Sequence, residues 1–370
     1  MRVTMLPSVG GGIGHISRSA ALARALRRLD PGIEIEFVLD AERLRPFNIE
    51  ATMQMGFRPR FLPPRTRENR EGVVRACLGG ADVIVDDVAR YLLPLRQGVP
   101  EAAWISILMH PIGDELFLDW PFMAQMDALI WPYAPLVGLP AELAPFEGKL
   151  HRTGPFLEIG GVPEKRAARL QLGLREGEAA VVYAPRGFPF GPEFGHRVLS
   201  GVYEAVKALR AGGYPGLRLL LIAVKDPAEL RAAGLPEALP EWVSVEGVVT
   251  PGRSLLYARA ADVLIAEGTS TMHEGAALRT ALVLIPGPIR EAIVLAEGLA
   301  REKGGRLLKI AEVTPEAVAR VLAAVLGEPA LNAAMLDRAA LLVGGGGGTD
   351  AAARLVLEVA ARRRAARLAP

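Results

Sequence analysis

The sequence predicts an α/β protein with two doubly wound domains, each a parallel sheet covered by helices. Its 370 residues exceed what one hydrophobic core usually serves. Short apolar runs alternate with helical stretches, the pattern of parallel βαβ units. The alternation stops at residues 151–163, HRTGPFLEIGGVP, and then starts again. We therefore predict a first domain over 1–150, a linker over 151–163 and a second domain over 164–343.

The individual elements follow from the position of each apolar run. In the first half, residues 17–29 have helical spacing, and the last strand of the sheet is predicted at 128–131. In the second half, residues 198–211 are predicted as a helix. Glycines 344–348 are predicted as a hinge before a C-terminal helix, giving a last segment over 344–370. The other predicted strands are 2–9, 33–39, 81–85, 102–109, 180–184, 217–223, 243–245, 262–266 and 282–285.

The composition is that of an ordinary globular enzyme, with 51% hydrophobic and 23% charged residues. No apolar segment is long enough to span a bilayer, and the first residues carry no leader cleavage site. The single cysteine, Cys77, excludes an intramolecular disulfide and a cysteine metal cluster. A net charge of +2 gives no general attraction to nucleic acid. We predict a cytoplasmic protein with no nucleic-acid partner, no metal and no cofactor.

A glycine loop, GGGIGHISRS, follows the first predicted strand and opens a helix. Gly12 and Gly14 let the backbone approach an anionic ligand at the helix N-terminus. His15 occupies the last glycine position of a dinucleotide fingerprint, so an NAD site with Asp40 as its acidic residue is a minor alternative. An imidazole at this sheet edge can take a proton from a hydroxyl. His15 is therefore a candidate base, with helix capping or phosphate binding as the other interpretation.

Three further polar residues end strands at the same predicted edge. Asp86 and Asp87 follow one strand, and His110 follows the next. The carboxyl ends of parallel strands meet at one edge, so an aspartate beside His15 would fix its tautomer and stabilise the imidazolium. The sequence leaves open which aspartate faces His15, and a carboxylate that only caps a helix is the alternative.

The segment AEGTSTMHEGAAL, residues 266–278, is the most informative in the second half. A strand ends at Gly268, and the hydroxyl residues Thr269, Ser270 and Thr271 then open a helix. Such a helix start can hold a diphosphate. Glu274 lies one turn further on and can accept hydrogen bonds from the two hydroxyls of a ribose. A capped helix without a ligand is the simpler interpretation of the segment taken alone.

Together these two motifs resemble GT-B glycosyltransferases, in particular the bacterial N-acetylglucosaminyltransferase family of lipid II synthesis. Members carry a G-x-G-H-like loop and a strand followed by S-G-x-x-T-x-x-E, where this chain has GGGIGH and EGTSTMHE. The resemblance implies two Rossmann-like domains that face each other across a cleft, the first for the acceptor and the second for the nucleotide-sugar donor. Members often pack a C-terminal helix back on the first domain, which we expect for residues 344–370.

The resemblance also implies roles for individual residues. Glu274 would hold the ribose, and Gly12 and Gly14 would lie against the donor. The family's small-residue loop is replaced here by APRGFPFG, which makes Arg186 and Gly187 candidates for the donor phosphates. The glutamine-rich sugar-reading motif is absent, so the donor sugar stays open. The remaining donor-binding candidates are Gly268 to Thr271 for the diphosphate, Val248 for the base, and Arg290 and Glu291 for the sugar.

The predicted function is a metal-independent Leloir transferase that moves a hexose-type sugar from a UDP- or dTDP-sugar to a hydroxyl on a small-molecule or lipid-linked acceptor. His15 would act as the base in a direct displacement. The alternative is a nucleotide-sugar hydrolase or epimerase, because G-x-G-H-x-x-R with Arg18 also resembles a hydrolase of UDP-linked diacetamido sugars. A nucleotide-sugar-binding protein without catalysis is a third hypothesis.

Two features bear on the acceptor and on a peripheral contact with the inner face of the membrane. The basic run 362–367 is interpreted as a solvated helix face, with acidic lipid as the alternative. The segment 104–133 would line an apolar acceptor pocket or a membrane-facing patch, but core packing explains it more simply. Its large side chains are Trp104, Met109, Phe117, Trp120, Phe122, Met123, Met126, Trp131 and Tyr133.

Overall fold

A computed structural model describes residues 1–9, 13–62, 70–88, 96, 98–109, 120–184, 192–222, 224, 227–247 and 249–368 of the chain. These described residues form two compact units. Unit 1 comprises Met1–Tyr133, Gly138–Leu157 and Gly346–Pro370. Unit 2 comprises Ala134–Val137 and Glu158–Gly345.

Strands and helices alternate through both units. The strands are β1 Arg2–Pro7, β2 Glu34–Asp40, β3 Pro59–Leu62, β4 Val83–Asp87, β5 Ala103–Ile107, β6 Ala128–Trp131, β7 Leu150–Arg152, β8 Ala179–Tyr183, β9 Leu217–Leu221, β10 Val243–Val245, β11 Val263–Ala266, β12 Ala281–Leu284 and β13 Arg306–Leu307. The helices are α1 Gly14–Leu29, α2 Pro46–Gln54, α3 Arg70–Leu78, α4 Trp120–Ala124, α5 Lys165–Gln171, α6 Pro192–Ala211, α7 Pro227–Ala232, α8 Pro251–Ala260, α9 Thr269–Ala277, α10 Arg290–Arg301, α11 Pro315–Gly327, α12 Pro329–Val343 and α13 Gly348–Leu368.

The sheet of unit 1 has the strand order β3-β2-β1-β4-β5-β6-β7, and every neighbouring pair is parallel. The chain winds outward from β1 through β2 to β3, then returns to the other side of β1 at β4. The order therefore reverses between β1 and β4. In open parallel sheets, ligands bind outside the carboxyl ends of the strands at such a switch point.

The sheet of unit 2 repeats this winding, with the order β10-β9-β8-β11-β12-β13 and all pairs parallel. Its switch point lies between β8 and β11. The strands on either side of it, AAVVY and VLIA, are apolar because helices cover both faces of a parallel sheet. Each unit thus has the doubly wound topology that the alternating pattern predicts.

The core of unit 1 is completed by the last helix of the chain. The small and apolar face of α1, including Ala20 and Leu26, packs with Val3 and Met5 of β1 in a fully buried cluster. Val356 of α13 belongs to the same cluster. The basic end of α13 is also attached to unit 1, because Arg363 Nη2 donates to the Pro100 carbonyl at 2.7 Å. The run interpreted as a solvated face therefore has a structural contact.

The aromatic segment 104–133 is core in its described part. Trp104 is fully buried, and its Nε1 donates to the Val99 carbonyl at 3.3 Å. Phe122 lies edge-on to Trp104 at 6.5 Å between ring centroids, and Trp131 and Tyr133 are buried as well. Phe117 and the side chain of Trp120 are outside the described residues. Core packing thus accounts for the described aromatic side chains of the segment and for Met123 and Met126, whereas Met109 is half-buried.

Three details differ from the sequence-based expectations. The strand predicted as the last of the first half, β6, is followed by β7, so residues 150–152 belong to the sheet and not to a linker. Its three residues, LHR, are too few and too polar to show periodicity. The edge strands β3, PRFL, and β13, RL, were not predicted for the same reason. Unit 2 begins at Glu158 and also includes Ala134–Val137.

No single helix within the described ranges has the length and apolar character needed to cross a membrane. One pair of helical segments, Pro315–Gly327 with Asn332–Arg367, is together long and apolar enough to cross a membrane, but the chain bends sharply between the two. Length and composition are the only features that point to a membrane span here.

Candidate functional site

The switch point of unit 1 carries His15 and Asp87. Asp87 is the last residue of β4, and His15 is the second residue of α1, which follows β1 after the glycine loop. Ile13, at the N-cap of α1, offers no side-chain hydrogen bond to the first-turn N–H groups, which within the described residues are therefore not capped by that side chain. Arg18 lies three residues after His15, a spacing that places both side chains on one face of the helix. The helix thus presents an imidazole and a guanidinium to the end of β4.

Both groups bind the same carboxylate. His15 Nδ1 lies 2.9 Å from Asp87 Oδ1, and Arg18 Nε donates to Asp87 Oδ2 at 2.9 Å. Arg18 Nη2 donates to Asp87 Oδ1 as well, which makes the ion pair bidentate. Asp87 is fully buried, whereas the His15 side chain is 29% exposed. Within the described residues His15 Nε2 has no hydrogen-bond partner, so it is the ring nitrogen open to a ligand.

The carboxylate of Asp87 is kept ionised by these contacts. Burial alone would raise the pKa of Asp87, but the charge of Arg18, together with His15, lowers it to about 2. The next residue, Val88, has a φ of 63°, a left-handed conformation that is unusual for a β-branched side chain. Strained backbone of this kind is concentrated at functional sites in proteins.

The structure distinguishes the two adjacent aspartates. Side chains alternate along a strand, so Asp86 and Asp87 point to opposite faces of the sheet. Asp87 faces α1, and Asp86 accepts a hydrogen bond from Ser106 Oγ at 2.8 Å on the neighbouring strand β5. Asp86 is buried and takes part in a structural contact with β5. His110, the third residue expected at this edge, lies outside the described residues.

The switch point of unit 2 carries the start of α9. Gly268 precedes the helix, and no side chain caps its first-turn N–H groups. Ser270 is exposed and Thr271 is half-buried. Thr269 is buried, and its Oγ1 donates to Glu291 Oε1 at 3.3 Å, which ties α9 to the first turn of α10. A helix start whose N-cap glycine has no side chain and whose first turn carries an exposed hydroxyl is suited to bind an anion.

Glu274 lies one turn into α9 and is partly buried. Desolvation of its carboxyl raises the pKa to about 7. Among the described residues this carboxyl has no hydrogen-bond or ion-pair partner. A desolvated acceptor without a donor costs free energy, and a ligand that supplies a donor removes that cost. The carboxyl is therefore arranged to accept hydrogen bonds from a bound molecule.

Gly275 explains how α9 comes close to its sheet. A Cβ at this position would lie 2.6 Å from Leu282 Cδ2 and 2.7 Å from Leu264 Cδ2. Both leucines are buried side chains of β12 and β11. Only glycine fits between the helix and these strands, and this close packing fixes the position of Glu274, the preceding residue.

The structure also shows two polar clusters that the sequence did not indicate. Tyr183, at the end of β8, donates its hydroxyl to Glu267 at the end of β11, and burial raises the pKa of Tyr183. Glu246, at the turn before α8, accepts a hydrogen bond from Arg253 Nε at 2.9 Å and another from the hydroxyl of Tyr257, both residues of α8. Glu267 could have been noticed, since it stands where the family motif has serine. Contacts between residues far apart in sequence leave no such signal.

The other sequence-predicted site residues fall into three groups. Arg290 is exposed at the start of α10, while Glu291 is buried beside it. Gly14 is exposed at the start of α1, and a Cβ there would meet no atom within 4 Å. The remaining predicted donor-binding residues, Gly12, Arg186, Gly187 and Val248, lie outside the described residues.

Comparison with curated proteins shows similarity to one kind of enzyme, although no family model matches the chain. The chain is 27% identical over 373 residues to the UDP-N-acetylglucosamine–N-acetylmuramyl-(pentapeptide) pyrophosphoryl-undecaprenol N-acetylglucosamine transferase of Mycolicibacterium paratuberculosis, covering 91% of this chain and 84% of that protein. It is 27% identical over 361 residues to the enzyme of the same name from Acidothermus cellulolyticus, covering 90% and 92%.

Solved structures share the fold over nearly the whole chain. The glycotransferase of kitacinnamycin superposes with a TM-score of 0.64 at 18% identity, covering 97% of this chain and 98% of that one. MurG of Acinetobacter baumannii gives a TM-score of 0.62 at 12% identity, covering 96% and 99%. A putative UDP-N-acetylglucosamine 2-epimerase from Listeria monocytogenes gives 0.66 at 12%, covering 100% and 98%. The chain has the GT-B fold and resembles the MurG-like transferases, a likeness that supports a glycosyltransferase with a nucleotide-sugar donor.

Proposed function

We propose that the chain is a glycosyltransferase that moves a hexose-type sugar from a UDP- or dTDP-linked donor to a hydroxyl of its acceptor. The observation that carries the proposal is the pairing of His15 with a buried, ionised Asp87 at the switch point of unit 1. Asp87 binds Nδ1, which leaves Nε2 as the acceptor of a proton. A protein that only binds a nucleotide sugar has no need of such a base.

The proposed reaction is a direct displacement at the anomeric carbon. His15 Nε2 takes the proton of the acceptor hydroxyl while the hydroxyl oxygen forms a bond to the anomeric carbon. The bond between that carbon and the donor phosphate breaks, and the nucleoside diphosphate leaves with the electron pair. Asp87 stabilises the imidazolium that forms. The N-terminus of α9 would stabilise the leaving diphosphate, so the proposed step needs no metal ion.

The donor site is proposed in unit 2. Glu274 supports this assignment because its carboxyl is desolvated and has no partner among the described residues. The two ribose hydroxyls would supply the missing donors. Gly268, Thr269, Ser270 and Thr271 would hold the diphosphate. Arg290 and Glu291 are the proposed sugar-reading residues, and the Thr269 hydrogen bond to Glu291 would couple the diphosphate and sugar subsites. Gly12, Gly14, Arg186, Gly187 and Val248 complete the proposed donor set.

The acceptor is proposed to be lipid-linked. The curated relatives are named for a pyrophosphoryl-undecaprenol acceptor and match nine-tenths of this chain, whereas the glycotransferase of kitacinnamycin resembles it in fold. A lipid-linked acceptor would bring the enzyme to the inner face of the cytoplasmic membrane as a peripheral protein. With a small-molecule acceptor, the enzyme would have no need to contact the membrane.

A nucleotide-sugar hydrolase or epimerase is the second candidate. Two observations favour it: the fold is shared with the putative UDP-N-acetylglucosamine 2-epimerase, and Arg18 makes the loop resemble the G-x-G-H-x-x-R pattern of a hydrolase. In a hydrolase His15 would activate water in place of the acceptor hydroxyl.

The first experiment is a thermal-shift screen against UDP, dTDP, GDP, NAD and their sugar conjugates. A millimolar ligand of micromolar affinity stabilises the native state by about 4 kcal/mol. Glu274→Ala should abolish the stabilisation by the donor. Glu297→Ala, which removes an exposed carboxylate from α10, should leave it unchanged. Stabilisation by NAD alone would contradict the proposal.

The second experiment separates transfer from hydrolysis and epimerisation. Nucleotide release from the donor is measured with and without an undecaprenyl-pyrophosphate-linked acceptor. Release that requires the acceptor supports transfer, whereas equal release into water identifies a hydrolase. Interconversion of the donor sugar without nucleotide release would identify an epimerase.

A further inference from the structure

We propose that Tyr183 is a positioning residue of the donor site: its hydroxyl holds the carboxyl of Glu267 away from the start of α9 and so keeps that helix start free for a phosphate group of the ligand. The inference rests on the function proposed above, because it takes the start of α9 as the diphosphate site. Tyr183 acts through Glu267 and is not proposed to contact the ligand.

The first observation is the position of Glu267 beside the helix start. Glu267 follows the last residue of β11 and directly precedes Gly268, the N-cap residue of α9. The N-cap glycine has no side chain, and the first turn of α9 has no acidic residue. Within the described ranges, no acceptor is bound to the backbone N–H groups of residues 269–271. A carboxylate beside such a helix start is attracted by the unpaired N–H groups and by the helix dipole.

The second observation is that Glu267 binds a hydroxyl from a neighbouring strand. Tyr183, the last residue of β8, donates to Glu267 Oε1, and both side chains are buried. The two residues meet because β8 and β11 are neighbours in the sheet. Burial, and then the nearby Glu267, raise the pKa of Tyr183, so the hydroxyl keeps its proton and stays a donor at neutral pH. Glu267 takes part in further interactions, and the hydroxyl is the partner that β8 supplies.

The backbone on both sides of Glu267 is held by hydrogen bonds, so a change at this residue falls on its side chain. The carbonyl of Ala266 accepts from the N–H of Ile285 at 3.0 Å, and the carbonyl of Glu267 accepts from the N–H of Gly287 at 3.0 Å. Without the Tyr183 hydroxyl, the buried carboxyl would have one donor fewer, which costs free energy. The N–H groups at the start of α9, adjacent in the chain, would supply a donor in its place. The carboxyl would then occupy the position proposed for the diphosphate.

A second acidic side chain beside this helix start is also bound to a hydroxyl. Glu291 is buried at the start of α10, and its Oε1 accepts from Thr269 Oγ1 at 3.3 Å. Two carboxyls next to the proposed diphosphate site are therefore paired with hydroxyl groups. This arrangement leaves the N–H groups of α9 to the ligand.

The first test needs no ligand and measures amide hydrogen exchange at residues 269–271 by NMR. In Tyr183→Phe, exchange at these amides should slow about 5- to 30-fold, because the released Glu267 caps the helix. A hydroxyl that only stabilised the fold would give the opposite result, since its loss would speed exchange. Tyr183→Phe/Glu267→Ala should exchange at the parent rate. Tyr257→Phe, which breaks the tyrosine–glutamate hydrogen bond to Glu246, is the matched control and should not slow exchange at these amides.

The second test compares the binding of UDP with that of uridine, which lacks the diphosphate. Tyr183→Phe should lower the affinity for UDP about 5- to 30-fold and leave the affinity for uridine unchanged, because Glu267 competes with the diphosphate alone. Removal of the carboxyl in Tyr183→Phe/Glu267→Ala should restore the affinity for UDP. Calorimetry measures UDP binding, and an NMR titration measures uridine binding. If the thermal-shift screen selects thymidine, dTDP and thymidine replace the two ligands.

Unchanged or faster exchange in Tyr183→Phe would overturn the proposal. A loss of UDP affinity that persists without the Glu267 carboxyl, or that extends equally to uridine, would overturn it as well. If Tyr183→Phe does not fold, Glu267→Ala decides: exchange at 269–271 that stays at the parent rate supports the proposal, and faster exchange shows that Glu267 already caps α9. A parent protein that binds no nucleoside diphosphate would refute the proposed function, while the exchange rates would still decide the role of Tyr183.

Discussion

The two switch points share a topology but treat their carboxylates in opposite ways. In unit 1, Asp87 is buried under two hydrogen bonds from Arg18 and a contact with His15, which together bring its pKa to about 2. In unit 2, Glu274 is desolvated without a partner among the described residues, and its pKa rises to about 7. The same strand order thus supports a satisfied carboxylate and an unsatisfied one.

The difference shows which of the two carboxyl groups still needs hydrogen-bond donors. The carboxylate of unit 1 is complete before any ligand arrives, so it can orient a neighbouring base with little reorganisation. The carboxyl of unit 2 gains its hydrogen bonds from a ligand, and the free energy of its unsatisfied state becomes available for binding. One position is organised for proton transfer and the other for recognition. Substitutions at His15, at Glu274 and at two glycines test this contrast.

The largest effect is expected at His15. His15→Ala removes the proposed base and should lower kcat about 10²- to 10⁴-fold, with little change in the thermal stabilisation by the donor. Steady-state product formation and thermal shift measure the two effects. His151→Ala, on β7 of the same unit, is the control and should retain activity. Full activity of His15→Ala would break the assignment of proton transfer to unit 1.

The two carboxyls should contribute to stability with opposite pH dependence. The pKa of Glu274 is raised on folding, so the unfolded chain ionises first and stability falls as the pH rises from about 4.5 to about 7. Glu274→Gln removes this pH dependence. The free energy of unfolding of the variant, relative to that of the parent, should therefore be higher at pH 8 than at pH 4 by up to about 3 kcal/mol. The pKa of Asp87 is lowered, so its contribution is present above about pH 4 and is lost towards pH 2.

Urea denaturation of the parent and of Glu274→Gln at several pH values measures the free energy of unfolding and checks the sign of its pH dependence. Donor binding supplies a second readout, since an ionised carboxylate accepts ribose hydroxyls better. The affinity of the parent should increase between pH 6 and pH 8, while that of Glu274→Gln stays flat. A stability difference that does not change with pH would show that the carboxyl of Glu274 is already satisfied.

The smallest effects are expected from two glycines, one inside α9 and one at the start of α1. Gly275→Ala forces a methyl group against Leu264 and Leu282 and should destabilise unit 2 by about 1 to 3 kcal/mol. Gly14→Ala, at the start of α1, meets no atom within 4 Å and should change stability by less than about 0.5 kcal/mol. Calorimetry of both variants measures the difference. Equal destabilisation would contradict the close packing assigned to α9.

The sequence predicted the sheet edge at which the functional residues lie more reliably than it predicted which of their side chains are in contact. Alternating strands and helices place His15 and the aspartates at one edge, because parallel strands end together. The choice between Asp86 and Asp87 depends on which face each residue takes, and a one-residue error in the start of β4 reverses it. The strand predicted at 81–85 begins at Val83 and runs to Asp87.

Long-range contacts were the part that could not be predicted. Arg18 and Asp87 are separated by 69 positions, and Tyr183 and Glu267 by 84. Neither pair belongs to a periodic pattern. Arg18 meets Asp87 only because α1 starts beside the end of β4, and Tyr183 meets Glu267 only because the ends of β8 and β11 are neighbours in the sheet. The strand β7 was missed because its three residues carry no apolar alternation.

The return of α13 to unit 1 also sets an order of events during synthesis. Residues 158–345 of unit 2 leave the ribosome before Val356 and its neighbours, which complete the core of unit 1. Unit 2 can therefore fold while unit 1 still exposes the apolar face of α1. Ribosome-bound chains that continue past residue 345 into a linker long enough to fill the exit tunnel should show protease protection in unit 2 and cleavage in unit 1. The first half of the chain, although made first, would then be the last part of the protein to complete its core.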